Sequence, residues 1–300
     1  MMTTDKIIQA LEQGTVANRS DRFRRGNLIQ LTAPGEVIMT GDLHGNEKNF
    51  QKLAHYAQLK DHPQRHLIIH ELIHCPSTND HCHSYLLVAQ AAALKARFPH
   101  QVHYLLGNHA MAQISQDEVL KNGQPMVRSL NAGISRTYGE QSTEVTNALD
   151  QFLLSLPIAV HTENRIWMSH SLPCSRNLDN FDHSIFENPI TLEDIRESSS
   201  LRALNWDRHH TEKCLEKLRQ MWETDIFIVG HQPQAQGCAW PHDRMIILAS
   251  DHTHGCFLPF ELQHSYEPTE LFGRIKPMAS LKMPKMSSRT IETENYYEPL

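Results

Sequence analysis

Oxygen and nitrogen donors follow three short apolar runs in the first part of the sequence. Asp42 and His44 follow the run VIM, Glu71 follows HLIIH, and Asn108 and His109 follow VHYLLG. Ligands of open α/β sheets bind at the carboxyl ends of strands, and residues two apart on an extended segment project to the same side. We therefore expect these side chains to converge on one point.

Two later apolar runs also end in histidine, with His170 after RIWMS and His231 within IVGHQP. Carboxylate, amide and imidazole donors together suit one or two divalent cations such as Mn, Fe or Zn. The candidate donors at these strand ends are Asp42, His44, Glu71, Asn108, His109, His170 and His231.

The histidine content is high, at 21 of 300 residues, so one histidine at the end of a strand carries little information. A drifted surface composition accounts for most of them, and His170 taken alone fits a structural histidine better than a metal ligand. The motifs GDLHGN and GNH are more specific, because their glycines allow the backbone to approach closely. Recurrence of donors at five strand ends favours a metal centre over chance.

Strand and helix patterns alternate in the first half, where helices are predicted at 49–59 and 84–98. This alternation is typical of an α/β fold. In the second half, the runs at 158–162 and 165–170 predict two strands joined by a Glu163-Asn164 turn. The runs at 225–230, 244–250 and 255–262 predict three further strands.

The predicted organisation is one large domain with a segment on each side. Residues 1–34 are predicted to be an N-terminal helical extension, and residues 35–266 the domain. The remainder, 267–300, is rich in Pro, Ser, Lys and Met with few apolar clusters, so we expect an extended or disordered arm.

Composition excludes several classes of partner. The net charge of -6 comes from interleaved charges, without the basic face that nucleic-acid binding requires. No stretch approaches the roughly 20 apolar residues that span a membrane. The six cysteines are scattered without a close pair, which is typical of reduced thiols, so we expect a soluble cytoplasmic protein.

The motifs GDLHGN, LLGNH, MSHSLP and VGHQP resemble those of the calcineurin-like metallophosphoesterases. The nearest branch is the phosphoprotein (serine/threonine) phosphatases, and the resemblance covers about residues 35–262. It implies a four-layer α/β/β/α sandwich of two mixed sheets flanked by helices, with two divalent metal ions between the sheets.

The resemblance also implies a role for each donor. Asp42 and His44 would hold the first metal, and Glu71 stands where the family has a bridging aspartate. The second metal would be held by Asn108, His170 and His231.

Two further residues acquire roles from the resemblance. His109 would be the general acid beside the leaving oxygen. Arg208, in LRALNWDRHH, resembles a phosphate-binding arginine of bacterial members, although a surface charge at the start of a helix is an equally good interpretation. Asn108 would share in phosphate binding. Two cations would share a water molecule and lower its pKa to about 7, and the resulting hydroxide would attack phosphorus.

The sequence departs from the family mainly around its second motif. Glu71 has a longer arm than aspartate, His74 replaces the aspartate that orients the catalytic histidine, and Cys75 replaces a phosphate-clamping arginine. Ala110 removes an acidic residue. Together with His81 and His83, His74 would alternatively rebuild part of the site or hold a separate zinc ion.

Three functions remain open at this stage. The first is a serine/threonine protein phosphatase acting on phosphorylated protein. The second is hydrolysis of a small phosphoester such as a diadenosine polyphosphate or a nucleotide. The third is a weakened or inactive phosphatase-fold binding protein, which the changes at His74, Cys75 and Ala110 favour.

Overall fold

The computed structural model describes residues 2–75 and 81–283. Within these ranges the helices are α1 (Thr4–Arg19), α2 (Glu47–Ala57), α3 (Ser84–Arg97), α4 (Asn108–Ser115), α5 (Met126–Tyr138), α6 (Ser142–Leu154), α7 (Ser175–Leu178), α8 (Leu192–Glu197), α9 (Ser199–Trp206), α10 (Glu212–Met221) and α11 (Pro268–Gly273).

The strands of the described chain are short. They are β1 (Arg24–Arg25), β2 (Leu28–Leu31), β3 (Glu36–Asp42), β4 (Arg65–His70), β5 (Val102–Leu105), β6 (Leu120–Lys121), β7 (Gln124–Pro125), β8 (Ala159–Thr162), β9 (Ile166–Ser169), β10 (Ile226–Val229), β11 (Cys238–His242), β12 (Met245–Leu248), β13 (Cys256–Glu261) and β14 (Lys276–Pro277).

These strands form two large sheets and one hairpin. The first sheet has the order β1-β2-β8-β9-β10-β12-β11, and the second has the order β14-β13-β3-β4-β5. Strands β3, β4 and β5 are parallel, so their carboxyl ends share one edge. Strands β6 and β7 form a separate two-stranded hairpin.

Alternate side chains of β3 face different layers. On β3, Val37 and Met39 belong to a core that also contains Met168 and Ile228 of the other sheet. Ile38, between them, packs into the cluster formed with the helices. This period of two is the strand geometry that buries both faces of a sheet. The result is two mixed sheets with helices outside them, as predicted.

The two sheets meet at the carboxyl end of β3. Asp42 forms an isolated parallel bridge with Ala249, and the Ser250 backbone N donates to the Asp42 carbonyl at 2.9 Å. A Cβ at Gly41 would lie 2.0 Å from the Leu248 carbonyl oxygen. Glycine at this position therefore permits the close approach that brings Asp42 between the sheets.

Most of the predicted elements are present at the predicted places. Helices α2 and α3 occupy the two predicted helical stretches, and β8 and β9 form the predicted antiparallel pair. The backbone N of Arg165 donates to the Thr162 carbonyl at 2.9 Å, which closes the turn through Glu163 and Asn164.

The two flanking segments differ from their predictions. The first contains the predicted helix α1, but its strand β2 pairs in parallel with β8 inside the first sheet. In the second, α11 and β14 are ordered elements, and β14 pairs with the edge strand β13. Leu271 and Met278 are buried there, and Phe272 and Ile275 also pack against a core cluster, so apolar contacts anchor this segment to the fold. Residues 284–300 lie outside the described residues.

Candidate metal centre

Asp42 and His44 lie side by side where the chain leaves β3. His44 has a φ of 38°, and its Nδ1 lies 3.0 Å from the Ile73 carbonyl oxygen. Because a carbonyl only accepts, Nδ1 carries the hydrogen of this contact, and Nε2 is the ring nitrogen that faces the site. That Nε2 lies 3.5 Å from Asp42 Oδ2. A backbone partner that fixes the ring in this way is typical of metal-binding histidines.

Glu71 is fully buried just after β4. Its Oε2 accepts a hydrogen bond from the His109 backbone N at 3.0 Å, while Oε1 has no hydrogen-bond partner among the described residues. A Cβ at Gly107 would lie 2.1 Å from Oε2, so only glycine fits there. Burial raises the pKa of Glu71 well above its usual range, and the nearby Asp42 charge adds to this rise.

Three donor atoms meet at the edge of the first sheet and the start of α4. His170 Nε2 lies 2.7 Å from Asn108 Oδ1, and His231 Nδ1 lies 3.2 Å from the same oxygen. The two ring nitrogens are 3.1 Å apart. All three side chains therefore point to one small volume.

Asp42 connects this trio to the first pair. Its Oδ1 accepts from the His231 backbone N at 3.1 Å and lies 3.6 Å from His170 Nδ1. Burial acts to raise the pKa of Asp42, but His170 and His44 outweigh burial and hold that pKa well below its usual range. The structure thus brings together all six predicted metal ligands, with Glu71 on the α4 side.

The donor atoms fit divalent cations. Ligands about 2.1 Å from one ion are about 3.0–3.4 Å apart when adjacent, which is close to the separations above. Burial lowers the pKa of His231 to about 4 and that of His170 well below its usual range, so both rings are neutral, as ligation requires. His170 Nδ1 and Glu71 Oε1 also lack partners among the described residues.

The donors do not form a complete cage by themselves. Across 2–75 and 81–283, no three His, Cys, Asp or Glu side chains form a group that could hold a metal ion. The tightest trio includes the Asn108 amide, and its members are hydrogen-bonded to one another. Ligation therefore requires these internal hydrogen bonds to open.

His109 lies in the first turn of α4 at the rim of this cluster. Its ring centroid is 4.7 Å from that of His44, and its Nδ1 lies 3.0 Å from His74 Nδ1. The side chain of His109 is only partly buried. It is therefore placed between the donor cluster and solvent, as a proton donor to a bound ester must be.

Arg208 also reaches the cluster, although its side chain is exposed. Its Nε donates to His231 Nε2 at 2.9 Å. That histidine nitrogen also lies 3.2 Å from the backbone carbonyl oxygen of Trp206. If His231 bound a cation through Nδ1, Nε2 would carry the hydrogen and donate to Trp206, which would release Arg208.

Lys121 is a site residue that the sequence reasoning missed. It belongs to the β6–β7 hairpin, and its Nζ lies 3.2 Å from Asp251 Oδ2. Burial lowers the pKa of His109 most, and the charge of Lys121 lowers it further. The dipeptide Asn122-Gly123, with φ of 52° and 76°, is a strong hairpin signal that would have found this element.

The three histidines of the second-motif loop have separate partners. His74 contacts His109, the His81 Nε2 lies 2.6 Å from an Arg136 nitrogen, and His83 contacts Tyr85. These contacts do not form the separate zinc site that we considered. Residues 76–80 of the loop lie outside the described residues.

Comparison of the sequence with models of known protein families identifies the family of this chain. A family model for calcineurin-like phosphoesterases matches residues 36–257, and the chain belongs to that family. The prediction from the motifs is therefore confirmed. A search of proteins with curated functions found no significant match to the sequence.

Solved structures support the fold. A protein serine/threonine phosphatase from Saccharomyces cerevisiae, described as similar to human phosphatase PP5, aligns with a TM-score of 0.61 and 12% identity over 96% of this chain and 93% of that chain. The cold-active protein-tyrosine phosphatase of a psychrophilic Shewanella species aligns with a TM-score of 0.50 and 14% identity over 77% of each chain. At these identities the similarity concerns the fold alone.

The helices of the described chain are also informative about membranes. Over 2–75 and 81–283, none has the combined length and apolar character needed to cross a bilayer.

Proposed function

We propose that the chain hydrolyses phosphate monoesters with the help of two divalent metal ions, Mn, Fe or Zn. The observation that carries this proposal is the convergence of Asn108, His170 and His231 within 2.7–3.2 Å of one another, beside Asp42. Asp42 and His44 would hold the first ion and this trio the second. Glu71, whose pKa is raised by burial and by Asp42, would stand between them.

When bound, such ions lower the pKa of water and neutralise phosphoryl oxygens. The remaining work falls to side chains of this protein. His109 is the partly exposed imidazole at the rim. In its imidazolium form it gives the proton on Nε2 to the leaving oxygen of the ester, and the ring then regains a proton from water. Arg208 and Asn108 bind the phosphate, and Lys121 adds positive charge that acts on His109.

The preferred substrate in this proposal is phosphoserine or phosphothreonine in protein. It is supported by motifs of the serine/threonine phosphatase branch and by the similarity in fold to the yeast phosphatase. A second candidate is a small phosphoester such as a diadenosine polyphosphate. It is supported by the segment containing Arg208, which resembles the phosphate-binding segment of bacterial members. Cys75 stands at the position of the family's phosphate-clamping arginine, and its sulfur lies 3.0 Å from that of Cys82. The lack of a guanidinium at this position favours a weakened enzyme.

Turnover of phenyl phosphate with added Mn²⁺ tests the proposal. Phenoxide is a poor leaving group, so the loss of a general acid is visible, and His109→Ala should lower the rate by about 10²- to 10⁴-fold. Asp42→Asn should abolish the dependence on Mn²⁺, and the exposed His62→Ala serves as a control. Equal rates in wild type and His109→Ala would contradict the proposal. A panel of phosphopeptides and diadenosine tetraphosphate then separates the two substrate classes.

A further inference from the structure

His74 is the end of a continuous chain of hydrogen bonds between α4 and α5. The Gln116 Nε2 donates to the backbone carbonyl oxygen of Gln113 at 2.5 Å, and the Asn131 Nδ2 donates to Gln116 Oε1 at 2.8 Å. The Gln113 Nε2 in turn donates to Asn131 Oδ1 at 2.8 Å. Gln113 Oε1 then lies 3.0 Å from His74 Nε2, and His74 Nδ1 lies 3.0 Å from His109 Nδ1. We call Gln116, Asn131, Gln113 and His74 the amide relay.

The backbone end of the amide relay determines every hydrogen in it. A backbone carbonyl only accepts, so the amide nitrogen of Gln116 faces the Gln113 carbonyl and its oxygen faces Asn131. Asn131 must then offer its NH₂ to Gln116 and its oxygen to Gln113. The Gln113 oxygen consequently faces His74, which is the arrangement that the distances describe.

The same logic reaches both imidazoles. Because Gln113 Oε1 only accepts, His74 carries its hydrogen on Nε2, and burial lowers the pKa of His74 to about 4, so that the ring is neutral. His74 Nδ1 is then an acceptor, and the hydrogen between the two rings belongs to His109 Nδ1. Nε2 of His109 is left without a hydrogen in the resting ring, so it must first take up a proton, which forms the imidazolium, before it can give that proton to a leaving oxygen.

The amide relay is held rigidly. His74 and Gln113 are both completely buried, and the His74 backbone N donates to Ser84 Oγ at 2.8 Å. Rotation of either side chain would leave a buried donor or acceptor without a partner, at a cost of about 1–3 kcal/mol. The orientation of His74 is therefore determined by its surroundings.

We propose that His74 is a positioning residue that, through Gln113, fixes the tautomer and the orientation of His109. The proposal rests on the proposed function in one respect, the use of His109 as proton donor. The amide relay occupies the place of a carboxylate but carries no charge, so it orients His109 without stabilising an imidazolium. Both ring nitrogens of His74 are engaged, which also argues against His74 as a metal ligand.

Side-chain ¹⁵N NMR of histidine tests the tautomers without any activity. Spectra of the full chain, loaded with diamagnetic Zn²⁺ or free of metal, are assigned with His74→Asn and His109→Ala. We expect a hydrogen on Nε2 of His74 and on Nδ1 of His109. Gln113→Leu should abolish this pattern and Gln113→Glu, which keeps an acceptor oxygen, should retain it. A hydrogen on His74 Nδ1 in the wild type would overturn the proposal.

Two esters test the use of the amide relay in catalysis. Phenyl phosphate needs a proton donor, whereas 4-nitrophenyl phosphate has a good leaving group and needs one much less. Gln113→Leu should lower kcat/KM for phenyl phosphate by about 10- to 100-fold and leave 4-nitrophenyl phosphate nearly unchanged. Gln90→Leu, the same change on α3, is the control, because Gln90 bonds Glu47 at the surface.

Each outcome has a separate meaning. Equal losses on the two esters would show general damage to the fold or to metal binding, and would overturn the positioning role. Retention of both rates in Gln113→Leu would overturn it as well. If the wild type hydrolysed neither ester, the proposed function would fail, while the NMR tautomers would still decide whether the amide relay orients His109.

Discussion

The carboxylate of Glu71 accepts a hydrogen bond from the backbone N of His109, with 3.0 Å between Oε2 and N. Glu71 thus satisfies one of the free N–H groups at the start of α4, where negative charge is favourable. The other oxygen, Oε1, has no partner in the described chain and is available to a cation. One side chain therefore links the position of His109 to the proposed metal centre.

Glu71→Gln separates these two tasks. The amide oxygen can still accept from His109, so α4 should keep its start, but the negative charge is lost. We expect the affinity for Mn²⁺ to fall by more than about tenfold, since even changes outside the direct ligands cost that much. Titration calorimetry with Mn²⁺ measures this, with the exposed Glu140→Gln as control. Unchanged affinity would show that Glu71 does not contact the metal.

Arg208→Gln tests the phosphate contact. Arg208 is exposed and held only by His231 Nε2 among the contacts described, so it is free to turn toward a bound phosphate. Loss of a charged hydrogen bond should raise KM for phenyl phosphate roughly tenfold with a smaller change in kcat. Arg196→Gln, on an exposed face of α8, provides the comparison. A fall in kcat alone would instead assign Arg208 to the orientation of His231.

Lys121→Gln tests the charge contributed by the hairpin. Lys121 acts on the site through space while its Nζ is paired with Asp251 at 3.2 Å, so its effect should be small and sensitive to salt. We expect KM for phenyl phosphate to rise roughly two- to threefold at low ionic strength and to match the wild type near 1 M salt, where the Debye length is about 3 Å. An effect that persists at high salt would indicate direct contact with the substrate.

Asp21→Asn tests how firmly the N-terminal segment belongs to the fold. Asp21 is buried and pairs with Lys95 Nζ at 2.6 Å and His103 Nδ1 at 3.1 Å. Removal of one partner of a buried pair should lower the free energy of unfolding by about 3–5 kcal/mol at pH 7. Urea unfolding measures the loss, with the exposed Asp243→Asn as control.

The pH dependence of that loss has a defined sign. Burial acts to raise the pKa of Asp21, but His103 and Lys95 outweigh burial and hold this pKa well below the usual range of an aspartate. A carboxylate whose pKa is lower in the folded state than in the unfolded state stabilises the fold at pH values above the unfolded-state pKa. This stabilisation is lost as the pH falls through the folded-state pKa. The difference between wild type and Asp21→Asn should therefore persist at pH 5 and shrink only below about pH 4. A constant difference at all pH values would point to packing rather than charge.

The residues at strand ends were predictable because their positions depend on local pattern. Asp42, Glu71 and Asn108 follow short apolar runs, and parallel strands bring their carboxyl ends to one edge whatever the loops do. His170 and His231 follow the same logic on the other sheet. The placement of these side chains at neighbouring strand ends was therefore predictable from the strands alone.

The partner of His74 was not predictable in the same way. Gln113 lies 39 residues from His74, and Asn131 lies a further 18 away on another helix, so their contact depends on how α4 and α5 pack. Short pairings such as Lys276 with Phe257 in β14 and β13 likewise leave no periodic signal, because only two residues are involved. Long-range packing, rather than propensity, decides such details.

Anomalous diffraction from crystals of the full chain grown with Mn²⁺ is the most direct test of the metal centre. The proposed metal centre predicts two manganese peaks about 3.5–4 Å apart, the usual spacing of two-metal sites. One peak should contact Asp42 and His44, and the other Asn108, His170 and His231. Crystals that show no manganese among these side chains, with the hydrogen bonds between Asn108 and the two histidines intact, would contradict it.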